Sequence, residues 1–79
     1  MTLNELAKKL KEMYEGSSTE KTAMIHLFGV KYAKDIRESG YVPKDILKVA
    51  GMPESYQVEI NKGIKLSKYV IVKEEYLDL

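Results

Sequence analysis

The segment 54–65, ESYQVEINKGIK, carries side chains whose types and spacing suit contacts with a nucleic acid. On a helical wheel, Tyr56, Ile60 and Ile64 fall on one side, and most of the polar residues fall on the other. Hydroxyl and ammonium groups can bind phosphate oxygens, and side-chain amides can pair with base edges. The residues predicted to contact DNA here are Ser55, Gln57, Asn61, Lys62 and Lys65.

The outward side of the same wheel also holds Glu54 and Val58. Glu54 and the nearby Glu59 would repel phosphates unless they are aimed elsewhere. Val58 suits contact with a thymine methyl or with a protein partner. A basic edge lies at the end of the segment and is formed by Lys62, Lys65 and Lys68. We expect the earlier Lys44 and Lys48 to continue it along the DNA backbone. The alternative is a solvated charged face that binds nothing.

Composition limits the classes of function. The chain has 79 residues, which predicts a single domain spanning 1–79, and its formal net charge is only +1. DNA-binding domains of this size usually carry a clear positive excess, so any DNA contact must rely on a local patch. No apolar run approaches a membrane span, and MTLNELAKKLKEM is amphipathic, unlike a signal peptide. We therefore expect a soluble, cytoplasmic protein.

Catalytic residues are not indicated. His26 is the only histidine and lies in a strongly apolar stretch, where we expect a packed or interface histidine. The absence of cysteine excludes disulfides and thiolate metal sites. The sequence has no glycine-rich phosphate loop and no metal-ligand cluster. We predict that the chain is not an enzyme and uses no cofactor, metal or small-molecule substrate.

Two helices are predicted in the first half of the chain. A capping box at Thr2–Glu5 opens the first, and Gly16 ends it. A second capping box at Ser17–Glu20 opens another helix, which is predicted to run to about Ser39. The middle of that helix is apolar on almost every side, which is typical of a central helix. Gly29 within it predicts the close approach of another helix.

Two shorter helices are predicted next. Pro43 suits the first turn of a third helix, and Gly51 suits its left-handed end. A fourth helix is predicted from about Pro53 to Lys62, ending at Gly63. The prediction is an all-α, compact four- to five-helix domain that contains a helix-turn-helix.

The tail 66–79 changes character. The β-branched run in KYVIVK favours a strand, so we predict a short extended or β tail. A lone strand leaves its backbone unpaired and would need a partner chain or a further domain. The segment 69–72 is therefore a predicted homodimer contact. The alternative is a helix with one side formed by Leu66, Tyr69, Val70 and Lys73.

The span Ile46–Gly63 resembles the helix-turn-helix of phage-repressor-like regulators. Its matching positions are Gly51, Met52, Ile60 and Gly63. The span departs from that family at Leu47, Pro53 and Gln57, where the family usually has Ala, a Ser or Thr cap, and an aliphatic residue. The whole chain is also similar to small uncharacterised helix-turn-helix-like domains of bacteria.

Together these patterns predict a DNA-binding helix-turn-helix module that regulates transcription or targets a larger protein. Such a larger protein would be a regulator or a defence nuclease. The alternative is a protein-interaction or dimerisation module that does not bind DNA.

Overall fold

The computed structural model describes residues 1–79 and contains five α-helices and no strand. The all-α prediction of four to five helices is therefore confirmed. The helices are α1 (Leu3–Glu15), α2 (Lys21–Lys31), α3 (Ala33–Ser39), α4 (Pro43–Ala50) and α5 (Gln57–Leu66). Two 3-10 turns, Glu54–Tyr56 and Glu74–Tyr76, precede and follow α5. No helix is both long and apolar enough to span a membrane.

The predicted capping box opens α1. The Thr2 hydroxyl accepts the Glu5 amide at 3.1 Å, and the Glu5 carboxylate accepts the Thr2 amide at 2.8 Å. These bonds, led by the one from the Thr2 amide, lower the pKa of Glu5. The apolar stripe of α1 is buried in the core, and Gly16 caps the end of the helix as predicted.

The second predicted capping box is only half formed. The Ser17 hydroxyl accepts the Glu20 amide at 2.9 Å, but the Glu20 side chain makes no bond in return. The helix begins at Lys21, with Glu20 as a cap residue that has no side-chain hydrogen bond. Residues 17–20 form a separate turn between α1 and α2.

The prediction of one helix continuing to Ser39 is wrong. Tyr32, with φ −105° and ψ 14°, separates α2 from α3, although backbone hydrogen bonds continue across it from Phe28 to Ile36. No proline or glycine marks the bend, so the local sequence carried no signal for it. With this bend, Phe28, Tyr32, Ala33 and Ile36 are all buried.

The predicted limits of α4 are confirmed. Pro43 is its first residue, and Gly51 ends it in the left-handed conformation at φ 71°. The Met52 amide returns to the Leu47 carbonyl at 3.0 Å, which closes the last turn. The chain leaves this turn through Pro53 into the 3-10 turn, so α5 starts later than the sequence predicted.

The crossing of α2 and α5 depends on two glycines. A Cβ on Gly29 would lie 2.5 Å from the Ile60 carbonyl oxygen, and a Cβ on Gly63 would lie 2.2 Å from that of His26. The predicted close approach at Gly29 is confirmed. The prediction that Gly63 ends the helix is wrong, because α5 continues through it to Leu66. Glycine is needed at position 63 because any side chain would collide with α2, and Gly63 does not adopt a positive φ.

The predicted extended tail is limited to Val70–Lys73, and this stretch forms neither a paired strand nor the alternative helix. Val70–Lys73 has no regular secondary structure, because no other segment of the chain lies beside it as a strand. The tail is anchored at its far end. The Lys31 ammonium donates to the carbonyls of Leu77 and Leu79, and the Tyr32 hydroxyl donates to Leu79 at 3.0 Å.

Candidate nucleic-acid interface

The arrangement of α4, the turn and α5 follows from the left-handed Gly51. That residue reverses the chain after α4 and leads through Met52 and Pro53 into the 3-10 turn. Tyr56, at the end of this turn, meets Tyr14 of α1 with the two hydroxyl oxygens 3.0 Å apart. The hydrogen bond to Tyr14 raises the pKa of the Tyr56 hydroxyl. The start of α5 is thereby held against α1.

The predicted wheel of α5 is confirmed. Ile60 is fully buried, and Tyr56 and Ile64 pack against the core. The opposite side of the 3-10 turn and of α5 is solvent-exposed, and we call this combined surface the outer face of α5: Glu54, Ser55, Val58, Asn61, Lys62 and Lys65. Gln57 is half-buried and lies at the edge of this face. The turn after α4 is therefore followed by a helix that has one buried side and one exposed, mostly polar side.

The two acidic residues near the outer face are paired with cations. Glu54 lies 4.0 Å from the Lys44 ammonium. The Glu59 carboxylate hydrogen-bonds to the His26 ring and lies 3.5 Å from the Lys62 ammonium. The bond to His26 is the main cause of the lowered pKa of Glu59. Both carboxylates are thus charge-compensated within the chain.

The predicted lysines of α4 and α5 are all exposed to solvent: Lys44, Lys48, Lys62 and Lys65. The Lys44–Glu54 contact places the start of α4 beside the start of the outer face. Lys48 lies one helical turn beyond Lys44, on the same side of α4, and is exposed. Lys48 and Lys65 form no ion pair in the structure, so their charges are uncompensated.

Two contacts that support this region were absent from the sequence analysis. The His26–Glu59 pair joins α2 to α5, and the Tyr14–Tyr56 pair joins α1 to the turn. Their partners lie 33 and 42 residues apart, so no local spacing could have indicated them. The expectation of a packed or interface histidine is confirmed as a packed one, because the half-buried His26 of α2 contacts Glu59 of α5.

Other sites for chemistry are sparse. A shallow depression is lined by Ser18–Ala23, of which Ala23 is the one apolar residue. No three side chains of the histidine and carboxylate types come together as metal ligands. Nothing in the structure tests whether the chain is an enzyme, and its predicted lack of catalysis stays a prediction.

Comparison with known families gives a match over most of the chain. The model of a family described as an HTH-like domain, in which HTH stands for helix-turn-helix, matches residues 2–73. This match supports the helix-turn-helix resemblance but not the narrower phage-repressor-like one. No curated protein and no solved structure matches the chain.

Proposed function

We propose that this chain, which belongs to the HTH-like domain family, binds duplex DNA by placing the outer face of α5 in the major groove. The observation that carries the proposal is the exposure of this whole polar face beside the α4 turn. In helix-turn-helix proteins the first helix braces the second, which reads the groove. Here α4 and α1 hold the start of α5 in the same way.

The side chains of the outer face divide into two roles. Asn61 and Ser55 suit contacts with base edges and sugar-phosphate, and Val58 between them suits a thymine methyl. Gln57, at the edge of the face, can reach DNA only near the start of α5. The lysines suit phosphates on both flanks of the groove: Lys62, Lys65, Lys44 and Lys48.

A titration tests the placement directly. Isotope-labelled protein is mixed with duplex DNA of mixed sequence at low and moderate salt, and amide chemical shifts are followed. We expect the shifted amides to cluster in 54–65 and at the start of α4. The affinity is measured in parallel by fluorescence anisotropy.

Charge-reversal variants sharpen this test. Lys62→Glu and Lys65→Glu should each weaken binding by roughly tenfold or more, because each removes a phosphate contact and adds repulsion. Lys11→Glu, an equal charge change on the exposed side of α1, is the matched control. DNA binding that ignores both α5 changes, or that weakens equally with the control, would contradict the placement.

We propose that the module serves transcription regulation in the cytoplasm, or targets a larger protein to DNA. A second candidate function, a protein-interaction or dimerisation module, is favoured by a different observation. Ile71 is 94% exposed and Tyr69 is 83% exposed in the tail. Light scattering at high protein concentration and hydrogen exchange of the tail separate the two candidate functions. A chain that stays monomeric, with a tail fully protected from exchange, would argue against the interaction module.

A further inference from the structure

The side chains of the tail alternate in exposure. Tyr69 and Ile71 are 83% and 94% exposed, and Lys73 is also exposed, whereas Val70 is 46% exposed and Val72 is half-buried. A period of two is the repeat of an extended strand with one side on the protein body. Tyr69 still belongs to the turn that follows α5, so the strand-like stretch is Val70–Lys73, and it has no strand beside it.

The backbone of this segment is also unpaired. The amides of Ile71, Val72 and Lys73 donate no hydrogen bond within the chain, and the carbonyls of Val70–Val72 accept none. Unpaired groups along an extended, β-branched segment form a template for another strand. The segment is ready for pairing with a chain that carries complementary side chains.

We infer that Val70–Val72 pairs in antiparallel orientation with the same segment of a second copy, with Ile71 on the twofold axis and with Lys68 and Glu74 flanking the pair. This inference goes beyond DNA binding and rests on the second candidate function above. A twofold interface brings identical residues together at its axis. The most exposed apolar side chain of the molecule, Ile71, would then pack against its own counterpart.

Charge complementarity favours this register of the two strands, and it favours a second copy of the chain as the pairing partner. With Ile71 on the axis, Val70 lies opposite Val72 of the other copy, and Lys68, in the turn before this pair, flanks it on the side of Glu74 of the other copy. Opposite charges directly across a strand pair are favourable. A register centred on Val70 or Val72 loses the Lys68–Glu74 match.

A shift of one residue is excluded for another reason. It would place outward-facing Ile71 opposite inward-facing Val72, although facing residues must share one side of a sheet. The flanks offer further apolar surface, because Leu66, Tyr76 and Leu77 are about half exposed. A two-stranded ribbon this short is marginal on its own, so we expect weak, concentration-dependent association.

The first experiment is disulfide trapping with Ile71→Cys. The chain has no cysteine, so any disulfide dimer arises from the introduced thiol. Residues opposite each other in an antiparallel pair are close enough for a disulfide, and diamide supplies the oxidant. We expect the cross-linked dimer to form at least roughly tenfold faster than with Val58→Cys, an exposed position on α5. Equal rates overturn the register.

The second experiment is a charge swap followed by sedimentation equilibrium. Lys68→Glu and Glu74→Lys should each weaken the dimer by roughly fivefold, because each turns two symmetric attractions into repulsions. The double variant Lys68→Glu with Glu74→Lys restores opposite charges and should recover the wild-type dissociation constant. A double variant as weak as the singles contradicts the pairing. Circular dichroism confirms that each variant is folded.

The outcomes separate this inference from the DNA proposal. A chain that stays monomeric up to millimolar concentration overturns the self-pairing. The same holds if the segment pairs with a strand of a different protein but not with a second copy. If that chain still binds DNA, the proposed function stands. A chain that dimerises as described but ignores DNA supports the pairing and overturns the proposed function.

Discussion

At the scale of single residues, Glu59 is a carboxylate on the proposed DNA-binding helix whose negative charge is compensated by neighbouring side chains. Its side chain belongs to α5 but hydrogen-bonds to His26 of α2 and lies near Lys62. Glu54, at the start of the outer face, has a weaker partner in Lys44 at 4.0 Å, and both side chains are about half exposed. Exposed pairs of this kind contribute little to stability.

The first prediction concerns pH. The pKa of Glu59 is lowered from 4.5 in the folded chain, mainly by the hydrogen bond to His26. A lowered folded-state pKa gives stability that is present above the unfolded value and is lost as pH falls through the folded value. We expect Glu59→Gln to reduce the loss of stability below pH 4.5, measured by urea unfolding at several pH values.

The control for this prediction is Glu15→Gln, an exposed carboxylate without an ion pair. It should keep the acid dependence of the wild type. Identical acid dependence in Glu59→Gln and the wild type would show that the His26 contact does not persist in solution.

The second prediction concerns charge on the outer face. Glu54→Gln removes a negative charge beside the proposed phosphate contacts and frees Lys44. We expect duplex DNA to bind a few-fold more tightly at low salt, with a smaller gain at high salt because salt screens the charges. Fluorescence anisotropy measures the effect, and Glu15→Gln on α1 serves as the charge-matched control. Unchanged affinity would mean that DNA does not approach the start of α5.

At the scale of elements, the crossing of α2 and α5 positions the outer face. Gly29 and Gly63 let the two backbones touch, and the Cβ positions of either residue fall on the opposing backbone. The contact role of Gly29 was predictable from its apolar surroundings. The contact role of Gly63 was not, because a glycine after a polar helix is more often a cap than a contact.

The third prediction tests this crossing. Gly63→Ala would place a methyl group 2.2 Å from the His26 carbonyl oxygen, so the helices must separate. We expect a loss of about 3 kcal/mol of unfolding free energy, the upper end for an overpacked core. Gly16→Ala, whose added Cβ would meet the Glu12 oxygen at 3.0 Å with an ordinary φ of −73°, should change stability far less. Equal effects of the two changes, measured by urea unfolding, would argue against the close crossing.

At the scale of the whole molecule, a net charge of +1 is compatible with DNA binding only if the charges are arranged unevenly. Near α5 the acidic residues are paired within the chain, whereas Lys48 and Lys65 are not. The proposed contacts therefore involve few phosphates. The affinity for DNA should be modest and strongly dependent on salt.

The fourth prediction concerns the salt dependence of DNA binding. If Lys44, Lys48, Lys62 and Lys65 each neutralise one phosphate, the logarithm of the binding constant falls with the logarithm of salt at a slope of about −3 to −4. Lys65→Ala should reduce the magnitude of that slope by about 1. Anisotropy titrations at several salt concentrations measure it. An unchanged slope for Lys65→Ala would remove this residue from the interface.

Local features were predictable from the sequence. The starts of α1 and α4, the ends at Gly16 and Gly51, and the exposed side of α5 all depend on residues within one or two turns of one another. Capping, left-handed glycines and the helical repeat act over that range. The predicted DNA-contacting set on α5 therefore lies on the exposed side, with Gln57 at its edge.

By itself the sequence determined the all-α class, the boundaries of α1 and α4, and which side of α5 faces the solvent, because these are short-range consequences of side-chain type and spacing. Only the tertiary structure decided the bend at Tyr32, the contact role of Gly63, the pairing of His26 with Glu59, and the unpaired tail. Each of these depends on segments far apart in the chain, and their proximity is set by how whole helices pack.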